Sequence, residues 1–140
     1  MSLDRGTKIY AGILGGLVAI GLLAWLSTLD FRLSEIDSML DNDMEISAYP
    51  YHFKALEIRG STAIMSTPRT NAVPAVKFLA MINPGLSRKS DQDPEMIKAQ
   101  KRLGAIQGKV RKLVLSREDI DKVNWRIDKE WYSQKGVWIN

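Results

Sequence analysis

Few side chains in this sequence could carry out acid–base or nucleophilic chemistry. There is no cysteine and a single histidine, His52, and imidazole is the one side chain whose ordinary pKa lies near neutrality. Two carboxylate pairs are spaced two residues apart, Asp119 with Asp121 and Asp128 with Glu130, which on a strand places both members on one face. Glycosidase-type acid–base catalysis needs a cleft between two carboxylates, and no pattern here predicts one. We therefore interpret His52 as structural or solvent-facing, and both pairs as solvated positions.

The motifs of common enzyme classes are also missing. The chain has no Gly-x-Ser-x-Gly, Ser-x-x-Lys, Walker loop, dinucleotide fingerprint or HExxH. Residues 41–45 resemble the start of a calcium loop, but Ile46 replaces the required glycine and His52 the bidentate glutamate. Without cysteine, thiolate zinc and iron–sulfur sites are excluded. We predict a non-enzyme with no cofactor or metal site; an enzyme that pairs His52 with a carboxylate is a third, less favoured hypothesis.

An uncharged segment near the N-terminus is the strongest feature of the sequence. The 21 residues Ile9 to Leu29 contain no charged side chain, and as a helix they would extend over roughly 31 Å, close to the hydrocarbon thickness of about 30 Å. We predict a membrane-spanning signal anchor that is retained. A cleaved signal peptide is the alternative, but the apolar run exceeds the usual length of such peptides, and residues 24–28 offer a poor cleavage site.

Basic residues beside this segment predict its orientation. Arg5 and Lys8 precede it, whereas Arg32 is the single basic residue among the twenty that follow, and basic flanks stay in the cytoplasm. We therefore predict a cytoplasmic tail over residues 1–8, a transmembrane helix over 9–29, and an extracytoplasmic domain over 30–140. In a bacterium with two membranes, this is a single-pass protein of the cell inner membrane with a periplasmic domain.

Small residues recur on one face of the predicted span. Gly12 and Gly16 form a GxxxG pattern, and Ala11, Gly15 and Ala19 continue the spacing of four. Such a face permits close approach of a second membrane helix. We predict helix packing with another membrane protein or with a second copy of this chain; the alternative is that glycine is simply common in membrane helices.

The rest of the chain shows both helical and strand periodicity. Leu56 and Ile58 should face the core on one strand of a hairpin and be met by Ile64 or Met65 on the other. Residues 133–136 should form a turn, and 137–139 a returning strand or an ordered tail. We predict an α+β domain in which two to three helices pack on a small antiparallel sheet. The predicted helices cover 34–44, 74–82 and 94–115, and the predicted strands 54–58, 62–67 and 123–127.

Charge is distributed unevenly along this domain. Residues 30–50 hold six acidic residues and one basic residue, whereas residues 51–117 hold thirteen basic and four acidic residues. Anionic lipid headgroups, an acidic protein surface or the chain's own acidic segment could pair with the basic residues, although a solvated helix face is the simplest interpretation. Nucleic acid is not predicted, because no recognition motif is present. A basic ridge should lie opposite the apolar stripe of the longest helix: Lys98, Lys101, Arg102, Lys109 and Lys112.

Aromatic residues complete the candidate surfaces. Trp131 and Trp138 would be interaction anchors if exposed, although a domain this small should pack at least one of them inside. We predict an envelope protein whose domain mediates assembly with other membrane proteins. The alternative is a ligand-binding or sensing module for a small molecule or an envelope polymer, with a concave pocket lined by Tyr51, Phe53 and Trp125.

Overall fold

A computed structural model of the chain describes residues 5–28 and 31–139. The chain divides into two compact units, residues 1–31 and residues 32–140, which we describe separately. Predictions for residues 1–4 of the tail, for 29–30 at the end of the span and for Asn140 lie outside the described residues. The first unit contains one helix, α1, over Arg5–Thr28.

Within α1, the segment Arg5–Ala24 is long and apolar enough to cross a membrane. It is the one helix of the described residues with this property. Every side chain described in this segment is exposed, and large aliphatic residues such as Leu17 and Val18 are more than half exposed. Water solvates such a surface poorly, whereas lipid chains would cover it. The structure is therefore compatible with a membrane anchor or a signal sequence.

The second unit is an α+β domain, which confirms the predicted fold class. Together with α1 the described chain holds six α-helices and a three-stranded mixed sheet. Five of these helices belong to the domain, so the prediction of two to three helices was too low. In chain order the elements are α2 (Arg32–Asp41), α3 (Met44–Ala48), β1 (Ala55–Arg59), β2 (Thr62–Thr67), α4 (Ala75–Ile82), a 3₁₀ turn (Pro84–Leu86), α5 (Pro94–Leu115), β3 (Lys122–Ile127) and α6 (Lys129–Gln134).

The predicted hairpin is present, but the sheet is not purely antiparallel. Strands β1 and β2 pair antiparallel across a turn in which Gly60 has a φ of 62°, a conformation that glycine adopts without steric cost. Strand β3 pairs parallel to β2, with Ala63 opposite Val123, so the antiparallel prediction is wrong for this pair. The reason is the connection: residues 68–121 cross over through α4 and α5, and a crossover of that length can return the chain to the end where β2 began.

Two local predictions fail because aspartates cap helices there. The predicted helix over 34–44 is broken, since the Asp43 carboxylate accepts hydrogen bonds from the amides of Glu45 and Ile46, both at 3.0 Å, and begins α3. Helix α6 was not predicted; Asp128 begins it by accepting from the amide of Trp131 at 3.0 Å. Residues 137–139 form no strand, which excludes the predicted returning strand.

The core lies between the sheet and the helices. The predicted stripe of α5 is buried, with Leu103, Val110 and Val114 fully inside, and Phe78 of α4 meets them in the same cluster. Met65 joins this cluster from β2, as predicted, and Ile58 packs against it. A bulge between Ala55 and Glu57 interrupts the alternation of β1, so Leu56 and Ile58 do not form the continuous inner face that the sequence predicted. Other fully or nearly buried aliphatic residues of the helices are Ile36, Leu40, Ile46, Leu79, Met96 and Ile106.

Aromatic residues close one end of this core. Tyr51 and Phe53 are 1% and 4% exposed and meet edge to face at 4.9 Å between ring centroids. The Tyr51 hydroxyl donates to Asp128 Oδ2 at 2.8 Å, and the Tyr132 hydroxyl donates to the carbonyl of Pro68. Because Tyr51 and Phe53 are packed inside, they cannot line the concave pocket that we predicted from them; half-buried Trp125 packs against Phe53 instead.

These buried hydroxyls predict alkaline unfolding. Burial raises the pKa of Tyr132 from 10 to about 12, and raises the pKa of Tyr51 further. The unfolded chain releases these protons near pH 10, so the stability that the neutral phenols contribute is present below pH 10 and is lost as pH rises toward 12. We expect the full-length chain in mild detergent to unfold in this interval, with tyrosinate absorbance and tryptophan emission changing together. Release of the Tyr51 and Tyr132 protons at pH 10, before any change in emission, would contradict this.

Candidate interaction site

An open groove lies on the domain surface where α4, the 3₁₀ turn and α5 meet the end of α3. Its volume is about 260 Å³. Most of its walls are apolar, and a single ionised side chain, Arg102, contributes to them. The lining residues are Tyr49, Pro50, Leu79, Ile82, Asn83, Leu86, Ala99 and Arg102.

Two helix ends shape this groove, and both stop at a residue that precedes proline. Helix α3 ends where the Tyr49 amide donates to the carbonyl of Ile46 at 3.2 Å, and Pro50 follows. Helix α4 ends at Asn83, whose side chain accepts from the amide of Gly85 at 3.2 Å; the next residue is Pro84. The residue before a proline is disfavoured in helical conformation. These two X-Pro steps are the local sequence feature that ends both helices beside the groove.

Tyr49 is the unusual residue of the groove. It is 3% exposed, yet among the described residues its hydroxyl has no hydrogen-bond partner. The Arg102 guanidinium lies over its ring, 6.0 Å from the centroid. Burial raises the pKa of Tyr49, and the charges of Arg102 and Arg69 lower it in part, so the hydroxyl is a neutral donor near pH 7. Leaving such a donor unsatisfied costs about 1–3 kcal/mol.

The predicted basic ridge is divided by the fold. Lys109 pairs with Asp43 at 3.2 Å and with Glu45 at 3.3 Å, and these two carboxylates raise the pKa of Lys109. The chain's own acidic segment is therefore the partner of this one cation. Within the described ranges 5–28 and 31–139, the other four ridge residues form no ion pair and are exposed: Lys98, Lys101, Arg102 and Lys112. Of these four, Arg102 lines the groove, and Lys98 and Lys101 are exposed close to it in the sequence of the same helix.

The two candidate aromatic anchors have different environments. Trp131 is half-buried and packs against Phe78 at 5.4 Å and Tyr51 at 5.8 Å between ring centroids, with the Lys135 ammonium over its ring at 5.5 Å. Trp131 is therefore part of the packing around the core and not an exposed aromatic residue. Trp138 is 82% exposed, so it meets the condition of exposure on which its predicted interaction role depends.

The structure also brings His52 close to one of the carboxylate pairs. His52 is exposed in the loop before β1 and shares a small depression of about 160 Å³ with Lys54, Asp128 and Glu130. Lys54 and Glu130 lie 3.8 Å apart. Asp128 already accepts from the Tyr51 hydroxyl and the Trp131 amide, which makes it a structural residue.

The other pair is not brought into a common site. Asp119 forms an ion pair with Arg117 at 2.9 Å, and this hydrogen-bonded contact lowers the pKa of Asp119. The Asp121 amide donates to the carbonyl of Ser61 at 2.8 Å, which places Asp121 at the start of β3. Asp119 and Asp121 therefore belong to the loop that leads into the sheet.

The small residues of α1 are all exposed: Ala11, Gly12, Gly15, Gly16 and Ala19. A methyl group added at any of these three glycines would meet no other atom within 4 Å.

Comparison of the chain with protein-family models, curated proteins and solved structures found no match. We therefore base the functional proposal on the groove, its unpaired charges and the apolar helix.

Proposed function

We propose that this protein is a single-pass, non-catalytic assembly or accessory factor that binds other membrane proteins. The observation that supports this proposal is the groove: an apolar surface depression in which, among the described residues, a buried phenol lacks an acceptor and Arg102 forms no ion pair. In the isolated chain the unpartnered hydroxyl costs free energy, and the apolar walls and the Arg102 charge are exposed to water. A bound partner could cover the walls and pair with both polar groups. Surfaces that combine apolar walls with tyrosine and arginine are typical of interaction hot spots.

The size of the groove favours a polypeptide partner over a small molecule. Pockets for drug-sized ligands measure about 300–1,000 Å³ and enclose most of the ligand, whereas this groove measures about 260 Å³ and is open. It can hold one or two anchoring side chains of a partner. A binding or sensing module for a small molecule is the second candidate, favoured by the unsatisfied Tyr49 hydroxyl, which a compact ligand could also engage.

The proposed location depends on α1 and its flanks. An exposed apolar helix of 20 residues, Arg5–Ala24, is suited to a bilayer. Arg5 and Lys8 support a cytoplasmic N-terminus because Arg32 is the single basic residue among the twenty that follow the predicted span. We place the protein in the cell inner membrane with its domain in the periplasm or outside the cell. The exposed small-residue face of α1 would pack against a partner's membrane helix.

Co-purification tests this function. We expect the full-length chain, solubilised in mild detergent, to carry a defined membrane protein or to be recovered as a specific oligomer. Leucine at both Gly12 and Gly16 should weaken that association. Gly21→Leu is the matched control, because at about 100° per residue it lies on the opposite side of the helix. Recovery of the wild-type chain alone and monomeric would overturn the proposal.

The same preparation tests the location. An intact mass that includes residues 1–29 would identify a retained anchor, whereas a mature chain that begins after the span would identify a cleaved signal peptide. Protease added to intact spheroplasts should digest the domain. Protection of the domain in that experiment would contradict the proposed orientation.

A further inference from the structure

We propose that the groove between α4 and α5 binds an acidic polypeptide segment, taking one apolar side chain into the groove and holding a neighbouring carboxylate with Tyr49 and Arg102. This inference rests on the proposed function, because it names the chemistry of the partner. The walls supply the apolar half of the recognition: Leu79 and Leu86 are 1% and 4% exposed, and Ile82 and Ala99 are partly buried and pack against the core.

The polar half of the recognition follows from two unsatisfied groups. The Tyr49 hydroxyl is a donor without an acceptor among the described residues. The Arg102 guanidinium forms no ion pair among them and lies 6.0 Å from the Tyr49 ring centroid. A phenol that donates one hydrogen bond and a guanidinium that donates several can share one ligand that carries two acceptor oxygens. A carboxylate is the anionic group that a polypeptide supplies, and charge-assisted hydrogen bonds to it are the strong ones.

Charge around the groove points to the same partner. Lys98 and Lys101 are exposed on the same helix as Arg102, and no acidic residue of the described chain pairs with them. By contrast, Lys109, further along α5, is neutralised by Asp43 and Glu45. The acidic segment of the chain thus neutralises Lys109. No described acidic residue neutralises Arg102, so the groove keeps a positive charge. Such a charge attracts acidic segments, and their binding weakens as salt is added.

Binding of a synthetic peptide tests the proposal directly. The full-length chain in nanodiscs of zwitterionic lipid would be titrated with a labelled short peptide of leucine, phenylalanine and glutamate, and with an otherwise identical peptide that carries glutamine. We expect the glutamate peptide to bind about tenfold more tightly, since a charge-assisted hydrogen bond is replaced by a neutral one. Equal affinity for both peptides would overturn the proposal. So would tighter binding of this embedded chain to separate, protein-free nanodiscs of anionic lipid than to the glutamate peptide.

Variants locate the binding. Arg102→Ala should lower the affinity for the glutamate peptide about tenfold and Tyr49→Phe about fivefold, whereas neither should change the affinity for the glutamine peptide by as much. Lys112→Ala is the matched control: it removes an unpaired cation of the same helix about 15 Å from Arg102 and should leave the affinity unchanged. Because Tyr49→Phe removes an unsatisfied hydroxyl, it should fold at least as well as wild type, which separates loss of binding from loss of structure. An effect of Lys112→Ala as large as that of Arg102→Ala would overturn the groove assignment.

Co-purification of the same variants separates this inference from the proposed function. If a partner is recovered with wild type and also with Arg102→Glu, the assembly function stands and the groove assignment fails. If wild type is recovered alone, the assembly function fails whichever peptide binds. Loss of the partner with Arg102→Glu but not with Lys112→Glu is the result expected from the proposal.

Discussion

Replacement of Asp128 by alanine is expected to lower the free energy of unfolding of the domain by about 2–4 kcal/mol. Asp128 is 7% exposed and accepts from the Tyr51 hydroxyl at 2.8 Å and from the Trp131 amide at 3.0 Å. Alanine would leave the buried Tyr51 hydroxyl without this acceptor, which costs about 1–3 kcal/mol. It would also remove the N-cap of α6, which costs about 0.5–2 kcal/mol. The two losses act together because one carboxylate serves both donors.

Urea unfolding of the full-length chain in detergent, followed by tryptophan emission, measures this loss. Asp128→Asn is the informative companion, because asparagine caps helices as well as aspartate. With its one oxygen on the Trp131 amide, its side-chain NH₂ group donates to the Tyr51 oxygen instead of accepting from it, and we expect this variant to lose less than half as much stability. Asp121→Ala, a substitution at an exposed carboxylate, should stay near wild type. Equal unfolding midpoints for wild type and Asp128→Ala would show that the buried carboxylate is not a structural centre.

Arginine at both Leu17 and Val18 is expected to release the protein from the membrane fraction. These residues are 61% and 63% exposed near the middle of α1, and each arginine at the centre of a membrane helix costs about 2.5–3.5 kcal/mol on the insertion scale. The combined cost of about 5–7 kcal/mol exceeds the favourable contribution of the eight aliphatic residues that remain in residues 9–29, which is about 2.4–4.8 kcal/mol in total at about 0.3–0.6 kcal/mol each. Insertion should therefore fail.

Fractionation after an alkaline wash, with immunodetection of the domain, gives the result. Leu17→Ile combined with Val18→Leu is the control, because it keeps the apolar character of the same two positions and should stay in the membrane pellet. Wild type should also remain there. If the arginine variant is retained in the pellet as fully as this control, α1 does not hold the protein in the membrane.

Local patterns predicted those elements whose residues interact with near neighbours in the chain. The stripe of α5 repeats every three to four residues, and Asp93 caps this helix just before Pro94, by accepting from the amide of Glu95 at 2.9 Å. The hairpin of β1 and β2 was predicted because its turn is short and contains Gly60. Short-range capping was also where prediction failed, since Asp43 and Asp128 begin helices that we had interpreted as a helix end and as part of an extended segment.

The candidate site was only half visible in the sequence. Arg102 was predicted as part of the basic ridge, because the ridge follows from helical spacing alone. Tyr49 was not, because it lies 53 positions away in the sequence and nothing local shows that its hydroxyl would be buried without a partner. The sequence left three partners open for the basic residues: anionic lipid, an acidic protein surface and the chain's own acidic segment. For Lys109 the fold selects the acidic segment, because it brings Asp43 and Glu45 within ion-pair distance.

The sequence by itself determined an apolar helix near the N-terminus, an α+β domain and an uneven distribution of charge, since these depend on composition and on periods of two to four residues. The tertiary structure alone decided the parallel pairing of β3, the contact of Tyr51 with Asp128 over 77 positions, and the groove. Such features depend on which distant segments meet, and that is decided by the free energy of packing the whole core rather than by the preference of any one segment.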